Sequence, residues 1–386
     1  MQPKTKIFGA MIKRILSQTI SSRIGQGKAI ILIGARQVGK STLFDTLIKG
    51  IGSPVLSINC DDPAVRDTLK SISTPQLKLL LGANKIIAID EAQRVEDIGI
   101  IIKRIVDNYP DIQVMATGSS SLGLHDKINE PLTGRKFEYE MYPISTAELY
   151  ETYGLIQTRQ LLESRLIYGS YPDVLTHPAD AKEILANLSD CYLYKEILEL
   201  DSVRKPELLR KILVALALHI GSEVSYNELA STVGSDTKTI ERYIDLLEKC
   251  FVIFRLQGLN RKLHNELKKA KKIFFYDTGI RNAIINNYAP ANLRSDMGAL
   301  WENFFIMERI KKNSYSGKRA NYYFWRTSDQ KEIDFIEESD GEFTIYEMKW
   351  NPRNKNAKFP TAFLDAYPCS SSAVVTPENY LEFLIQ

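Results

Sequence analysis

The sequence predicts an α/β chain of several modules, and three observations carry that expectation. A glycine-rich loop lies between an apolar strand and a helix near the start. Strand–helix alternation gives way to helical periodicity near residue 146, and the chain ends in the order helix, three strands, helix, strand. At 386 residues it is too long for one ordinary core, and the expected divisions are 1–145, 146–202, 203–285 and 286–386. Its 50 Lys plus Arg against 47 Asp plus Glu leave a net charge of +3, too small to announce a nucleic-acid or membrane partner, so any basic surface must be local. Cys60, Cys191, Cys250 and Cys369 lie far apart with no Cys-x-x-Cys pair, which argues against a zinc site or disulfide framework and fits a reducing cytoplasm. "MQPKTKIFGAMIKRIL" mixes charge into apolar residues at helical spacing, unlike a signal peptide, and no apolar run reaches membrane-spanning length. A cytoplasmic protein without a membrane partner is the expectation.

The first module is read from "GARQVGKST", residues 34 to 42. The spacing G-x-x-x-x-G-K-[ST] puts Gly34 and Gly39 where a tight loop needs them, so that backbone N–H groups converge on phosphate oxygens. Gly34, Ala35, Arg36, Gln37, Val38, Gly39, Lys40, Ser41 and Thr42 form the expected ATP cradle, with Lys40 facing the outer phosphates and Ser41 the magnesium ion. The flanks agree: "AIILI" reads as a buried parallel strand and "KSTLFDTLIKG" as a helix ended by Gly50. "KIIAIDEAQRV" is an apolar strand ending in two adjacent carboxylates. Asp90 would hold magnesium directly or through water, and Glu91 would polarise the attacking water, a task for an ionised carboxylate not tied up by metal. "DIQVMATGSSS" ends in Thr117, Ser119 and Ser120, whose hydroxyls would sense the γ-phosphate, orient water, or form only a polar turn.

These pieces in this order resemble the AAA+ ATPases, and more narrowly a bacterial and archaeal family of ATPases carrying a C-terminal domain of unknown function. "GARQVGKST", "IDEAQ", "TGSSS", "GRKFEYEMYPIS", "GSYPDVL", "YDTGIRN" and "YFWRTSDQKEIDFI" carry the likeness across nearly the whole chain. The resemblance implies a nucleotide-driven machine or switch, with nucleotide on Gly34, Gly39, Lys40, Ser41, Asp90 and Glu91. It also makes Arg135 in "TGRKF" either a phosphate-sensing arginine, acting within the chain or across the subunit boundary of a homo-oligomer, or a structural one.

From residue 146, "STAELYETYG", "TRQLLESRLIYG" and "LSDCYLYKEILEL" read as a helical lid, interrupted at Gly169 and Pro172 by a loop that joins helices or touches nucleotide. "PELLRKILVALALHIG", "SYNELASTVG" and "DTKTIERYIDLLEKC" then read as three helices, with Gly234 at the last turn, and "FVIFRLQG" and "KKIFFYDTG" as the two strands of a wing. That is the pattern of a winged-helix domain. Ser235 or Asp236 would cap its longer helix, leaving Lys238, Thr239 and Arg242 near the exposed N-terminal part. In "RKLHNELKKAKK" the lysines, those of "KKAKK" above all, would neutralise DNA phosphates, or the module docks protein instead; His264 stands there alone and gives no metal site.

"DMGALWENFFIMERIKK" reads as an amphipathic helix, followed by strands in "NYYFWRT", "KEIDFIEES" and "EFTIYEMKW", a helix near "PTAFLDAYP" and a strand in "SAVVTP". This order resembles the PD-(D/E)XK, or restriction-endonuclease-like, α/β fold. Asp334, Glu347 and Lys349 match its motif, and Glu302 matches an accessory acid. The resemblance implies that Asp334 and Glu347 hold magnesium, or more readily manganese, beside a scissile phosphate while Lys349 positions water; it equally admits an inherited core without cleavage activity. The leading function is an ATPase coupled to nucleic acid. Its rivals are an ATP-dependent regulatory switch with an inactive nuclease fold and a small-molecule P-loop kinase, against which Asp90 and Glu91 argue.

Overall fold

The aliphatic run Ala29–Gly34 forms β1, buried at all six positions, as a central strand covered on both faces must be. In the computed structural model, residues 11–119, 128, 131–191, 205–261, 271–354, 358–367 and 369–385 are described. The chain divides into two units, one of Lys13–Pro143 with Lys249–Phe251 and one drawn chiefly from Ile144–Glu248 and Val252–Gln386.

In the first unit β1 is joined by β2 (Val55–Asn59), β3 (Ile86–Asp90), β4 (Gln113–Gly118) and β5 (Lys136–Met141). Their order is β2-β3-β4-β1-β5 and every pair is parallel. All five strands therefore end on one edge, where Gly34, Asp90 and Gly118 gather, the position at which open parallel sheets take ligands. The helix after the loop, Lys40–Ile51, stops at Gly52 with φ 67°, two residues past the glycine expected to end it. Gly52 adopts the left-handed conformation that a helix stop favours.

The second unit begins with the helix Thr146–Gln160, opened by a capping box in which Ser145 and Glu148 exchange hydrogen bonds and bent where Gly154 leaves helical geometry. Leu162–Tyr168, Pro172–Thr176 and Ala181–Cys191 follow; residues 192–204, of which 192–202 belong to the expected lid, lie outside the described residues. These helices cluster with the C-terminal half of the chain. Their anchor is a meeting of two short motifs. Ser170 N donates to Asp277 Oδ2 at 2.7 Å, Thr278 Oγ1 donates to the Arg165 carbonyl at 2.9 Å, and Asn282 Nδ2 donates to the Leu166 and Ile167 carbonyls at 3.1 and 2.8 Å. A Cβ on Gly279 would lie 2.2 Å from the Tyr168 carbonyl oxygen, so the backbones meet without room for a side chain. The loop at Gly169 and Pro172 thus joins helices and braces the helix Thr278–Ile284.

Pro206–Leu218, Tyr226–Val233 and Thr237–Lys249 come next, then the antiparallel pair β6 (Ile253–Gly258) and β7 (Lys271–Phe275). After the long helix Met297–Tyr315 come β8 (Asn321–Arg326), β9 (Glu332–Ser339), β10 (Glu342–Met348), the helix Thr361–Ala366 and β11 (Cys369–Val375). One six-stranded sheet, β11-β10-β9-β8-β6-β7, contains both groups because β6 pairs parallel with β8. The division expected near residue 285 therefore runs through a continuous sheet. A two-stranded hairpin is marginal alone, and β8 gives one edge of it a partner.

The helix expected to be amphipathic is buried on nearly all sides, with Trp301, Phe304 and Phe305 packed on Tyr380, Tyr346 and Phe383. Glu308, Arg309 and Lys311 are buried and paired. Glu308 accepts from Arg165 at 3.1 Å and Lys311 at 2.7 Å, while Arg309 meets Glu337 at 2.6 Å. Charge at helical spacing read as a solvent face; here it is an internal ion network.

Candidate functional site

Glycine is required at the start of the phosphate loop, because a Cβ on Gly34 would lie 2.1 Å from the Met141 carbonyl oxygen of β5. Gln37 and Gly39 take positive φ, 58° and 98°, the second directly before the helix. Arg36 is half-buried, Gln37, Ser41 and Thr42 are exposed, and Ala35 and Val38 are buried. Buried Arg14 clasps the loop: its Nη1 donates to the Val38 carbonyl and its Nη2 to the Tyr142 carbonyl, each at 2.6 Å. Lys40 Nζ is 2.9 Å from the Gly34 carbonyl and 2.8 Å from that of Ala35.

Across the sheet edge, Ser41 Oγ donates to Asp90 at 2.9 and 3.1 Å, and Thr117 donates its hydroxyl to the same carboxylate. Glu91 has φ 52° and its N–H donates to Thr117 Oγ1 at 3.2 Å. Gln93 Nε2 ties the Glu91 carboxylate at 2.5 Å to Ser119 Oγ at 2.9 Å. The structure thus brings Lys40, Ser41, Asp90, Glu91, Thr117 and Ser119 together; Ser120 lies outside the described residues. The donor set fits a magnesium–phosphate group. One carboxylate and one hydroxyl meet at the loop mouth, and a hard cation there would complete its shell from phosphate and water. Arg14 and Gln93 have no motif to announce them; Gln93 stands within "IDEAQ" but its reach to Ser119 depends on β4 lying beside β3.

Arg135 is not at this site. It precedes β5, whose first residue pairs with Ala29 and whose last pairs with Gly34, so it stands at the opposite end of the strands from the loop. Six strand residues amount to about 20 Å. Its Nε meets Asp107 Oδ1 at 2.6 Å.

The second cluster lies on the six-stranded sheet. Asp334 (β9), Glu347 (β10) and Lys349 just past β10 face one another, and Glu302 on the long helix lies near enough for the Asp334 charge to raise its carboxyl. Lys349 Nζ is 2.6 Å from Glu347 Oε1 and 4.0 Å from Asp334 Oδ2, and Asp334 Oδ2 also accepts from Met348 N at 2.8 Å. One member was not expected there. Lys272 of β7 places Nζ 3.1 Å from Glu302 Oε1 and 2.6 Å from Glu332 Oε1. Burial pushes the Glu302 carboxyl up to about 7 against the pull of Lys272, and burial also raises Asp334 and Glu347. Burial alone would lower Lys272, yet Glu302 and Glu332 outweigh it and hold the ammonium above the usual lysine range. Among the described residues no group of three or more His, Cys, Asp or Glu side chains is set to hold a metal ion. Asp334 and Glu347, the expected ligands of magnesium or manganese, are engaged by Lys349 and a backbone N–H instead. As arranged, the residues do not fit a bare divalent ion.

The proposed DNA contacts divide as well. Lys238 and Arg242 are exposed, but Thr239 is the cap partner of Asp236, with N and Oγ1 at 2.9 and 2.7 Å from its carboxylate. In "KKAKK", Lys271 stands 4.7 Å from the Tyr226 ring centre and Lys272 is buried in the carboxylate cluster, so it offers nothing to a phosphate backbone. Lys268, Lys269 and His264 lie outside the described residues.

Residues 26–150 match the family model of an AAA domain, and residues 159–291 and 297–384 each match a domain of unknown function. The middle match runs across the division expected at residue 202. An uncharacterized protein of Haemophilus influenzae is 27% identical over 326 residues, covering 79% of this chain and 78% of the relative. An uncharacterized protein of Mycobacterium tuberculosis is 26% identical over 359 residues, 90% of this chain and 76% of the relative. Among solved structures, a Thermotoga maritima RuvB mutant is 14% identical at a TM-score of 0.36, covering 75% of this chain and 100% of that one. The Pif1 helicase of Candida albicans is 14% identical at 0.28, covering 47% and 48%. These scores mark loose likeness only. The AAA match, on a parallel sheet with this loop and acidic pair, supports an AAA-type, P-loop ATPase domain at residues 26–150. No helix among the described residues is long and apolar enough to cross a membrane.

Proposed function

We propose that the chain is a magnesium-dependent ATPase whose cycle is coupled to nucleic acid. The observation that carries the first half is the convergence of Lys40, Ser41, Asp90 and Glu91 on one sheet edge, with Thr117 and Gln93 fixing the two carboxylates. Magnesium, when bound, would neutralise charge on the outer phosphates, with Ser41 and Asp90 as its protein ligands. The chain's own residues do the rest. Lys40 exchanges the Gly34 and Ala35 carbonyls for phosphate oxygens, and Glu91 takes the proton of the attacking water while Gln93 holds its carboxylate in place.

The second half is supported by the order of three helices and an antiparallel pair in the winged-helix manner, the exposed Lys238 and Arg242, and a strand order compatible with a nuclease-like fold. A second reading, an ATP-dependent switch that docks protein, is favoured by the helix Thr237–Lys249 itself. Lys238, Arg242 and Lys249 are balanced there by Glu241, Asp245 and Glu248, so the helix has no net positive charge with which to hold phosphates. Phosphate release from Mg-ATP, measured on the full chain with and without duplex, branched and single-stranded DNA, separates the two. The nucleic-acid reading expects turnover to rise with at least one DNA and the rise to vanish with added salt; turnover indifferent to all three at low salt favours the switch. Arg135, placed away from its own chain's loop, would serve the cycle only across a boundary between copies.

A further inference from the structure

We infer that Lys272 is the resident cation of the C-terminal carboxylate cluster, so that the site takes a divalent metal only when this ammonium is removed. The inference rests on the nuclease-like reading of that fold and changes what it means for this chain. Three observations carry it. First, the ammonium sits among the carboxylates, at 3.1 Å from Glu302 and 2.6 Å from Glu332, with its side chain only 5% exposed. Second, it is fixed from the backbone. Lys272 pairs with Leu256 of β6 on one side and bridges Glu223 on the other, and its Nζ lies 5.3 Å from the Phe324 ring centre. The turn at Gly221 closes over the same acid, since a Cβ there would come within 3.5 Å of Glu302 Oε2. Third, further cations stand close by, although Arg326 is held chiefly by Glu223 at 2.7 Å. Glu302, Glu332, Asp334 and Glu347 face Lys272, Lys349 and, at 3.8 Å from Glu332, Arg326.

Hard divalent ions are held by several carboxylate oxygens at once, and Glu302 and Glu332 are already engaged by Lys272. Here a divalent ion would meet one fixed ammonium on the Glu302 side and a second on Glu347, in surroundings where like charges repel more strongly than in water. The lysine belongs to β7, so sequence comparison of the Asp334, Glu347 and Lys349 motif alone would pass over it. It follows that the wild-type chain does not perform metal-assisted phosphodiester cleavage at this cluster, with manganese or with magnesium.

The experiment is a manganese titration of the full chain without nucleotide, read by the electron paramagnetic resonance of free Mn2+ and by thermal melting. Wild type and Asp334→Asn are expected to bind the same small amount of Mn2+, and millimolar Mn2+ is expected to leave the wild-type melting temperature unchanged. Lys272→Met, which keeps the apolar stem and drops the charge, is expected to gain one Mn2+ per chain and to melt higher with Mn2+ than without; adding Asp334→Asn abolishes both gains. Wild-type Mn2+ binding that Asp334→Asn removes would overturn the inference, as would a folded Lys272→Met that gains no site. The wild-type arm alone can overturn the inference even if Lys272→Met fails to fold. A chain indifferent to every DNA yet acquiring Mn2+ on loss of Lys272 would count against the nucleic-acid reading and leave this inference standing.

Discussion

Lys40 and Lys272 are equally buried, 5% and 4% exposed, and are held in opposite ways. Lys40 rests on two uncharged carbonyls of its own loop, at 2.9 and 2.8 Å, whereas Lys272 rests on two carboxylates. A buried ammonium that rests on carbonyls can exchange those contacts for phosphate oxygens. One on carboxylates is already neutralised, and its removal leaves anions that need another cation. The difference teaches that a lysine beside acids is not a sign of phosphate chemistry by itself; what already compensates it decides.

The largest expected effect breaks the comparison at its charged end. Lys272→Ala should destabilise the second unit by about 3 kcal/mol, because it takes the ammonium from the largely buried Glu302 carboxylate, while Glu332, 29% exposed and near Arg326, suffers less. Lys40→Ala should cost far less stability and should instead abolish measurable ATP binding. Denaturant unfolding together with a nucleotide-binding assay checks both; equal destabilisation by the two substitutions would mean that the two lysines are held alike after all.

Next in size is the loss of the base. Glu91→Gln should retain ATP and lose about 100-fold or more in turnover, the usual scale for general-base removal. Glu347→Ala, in the other unit, should leave ATP hydrolysis where it was. Undiminished phosphate release by Glu91→Gln would remove Glu91 from the mechanism.

How much of this was legible in the sequence follows from the range over which each residue acts. Gly34, Gly39, Lys40 and Ser41 are coded by spacing along one loop, and Asp90 with Glu91 by position at a strand end, so local pattern sufficed. Arg14 reaches the loop from 24 residues away, and no periodicity marks it. The long helix misled because charge at helical spacing is the same pattern whether it meets water or an internal partner. Arg135 was near β5 in sequence but at the wrong end of it, which only the parallel register reveals. A signal for Lys272 did exist: it lies two residues before Phe274, hence on the same strand face, and Phe274 is fully buried. A lysine on an inward face asks for a carboxylate, but which one depends on β6 meeting β8, a pairing without a local signature.

Smaller again is a test of the joint between "GSYPDVL" and "YDTGIRN", a part of the second unit where geometry and not charge does the holding. At Gly169 φ is 76° and a Cβ would fall 1.9 Å from Asp277 Oδ1. Gly169→Ala should cost about 1–3 kcal/mol through overpacking of a fixed contact. Calorimetry would show it as a lower melting temperature of the unit that contains Lys272; a stability unchanged from wild type would mean the Asp277 side chain swings aside freely.

The smallest expected effect concerns Arg135, the one residue of the first unit assigned to phosphate and found elsewhere. Its ion pair with Asp107 is exposed on both sides, 39% and 36%, so solvent screens it and its loss should cost about 0–1 kcal/mol. Because the β5 register puts it at the far end of the strands from Gly34, Arg135→Ala should leave the ATP affinity of an isolated chain unchanged. Turnover measured across a range of protein concentrations then separates the two roles that remain. A structural arginine leaves the rate per chain the same at every concentration. If it reaches the nucleotide of a neighbouring copy, wild-type turnover should climb with concentration and the Arg135→Ala rate should stay flat, with binding of ATP equal in both. A fall in the affinity of the dilute, monomeric protein would contradict the placement itself, since among the described residues the contacts of this side chain are with Asp107 and Thr133, away from the loop.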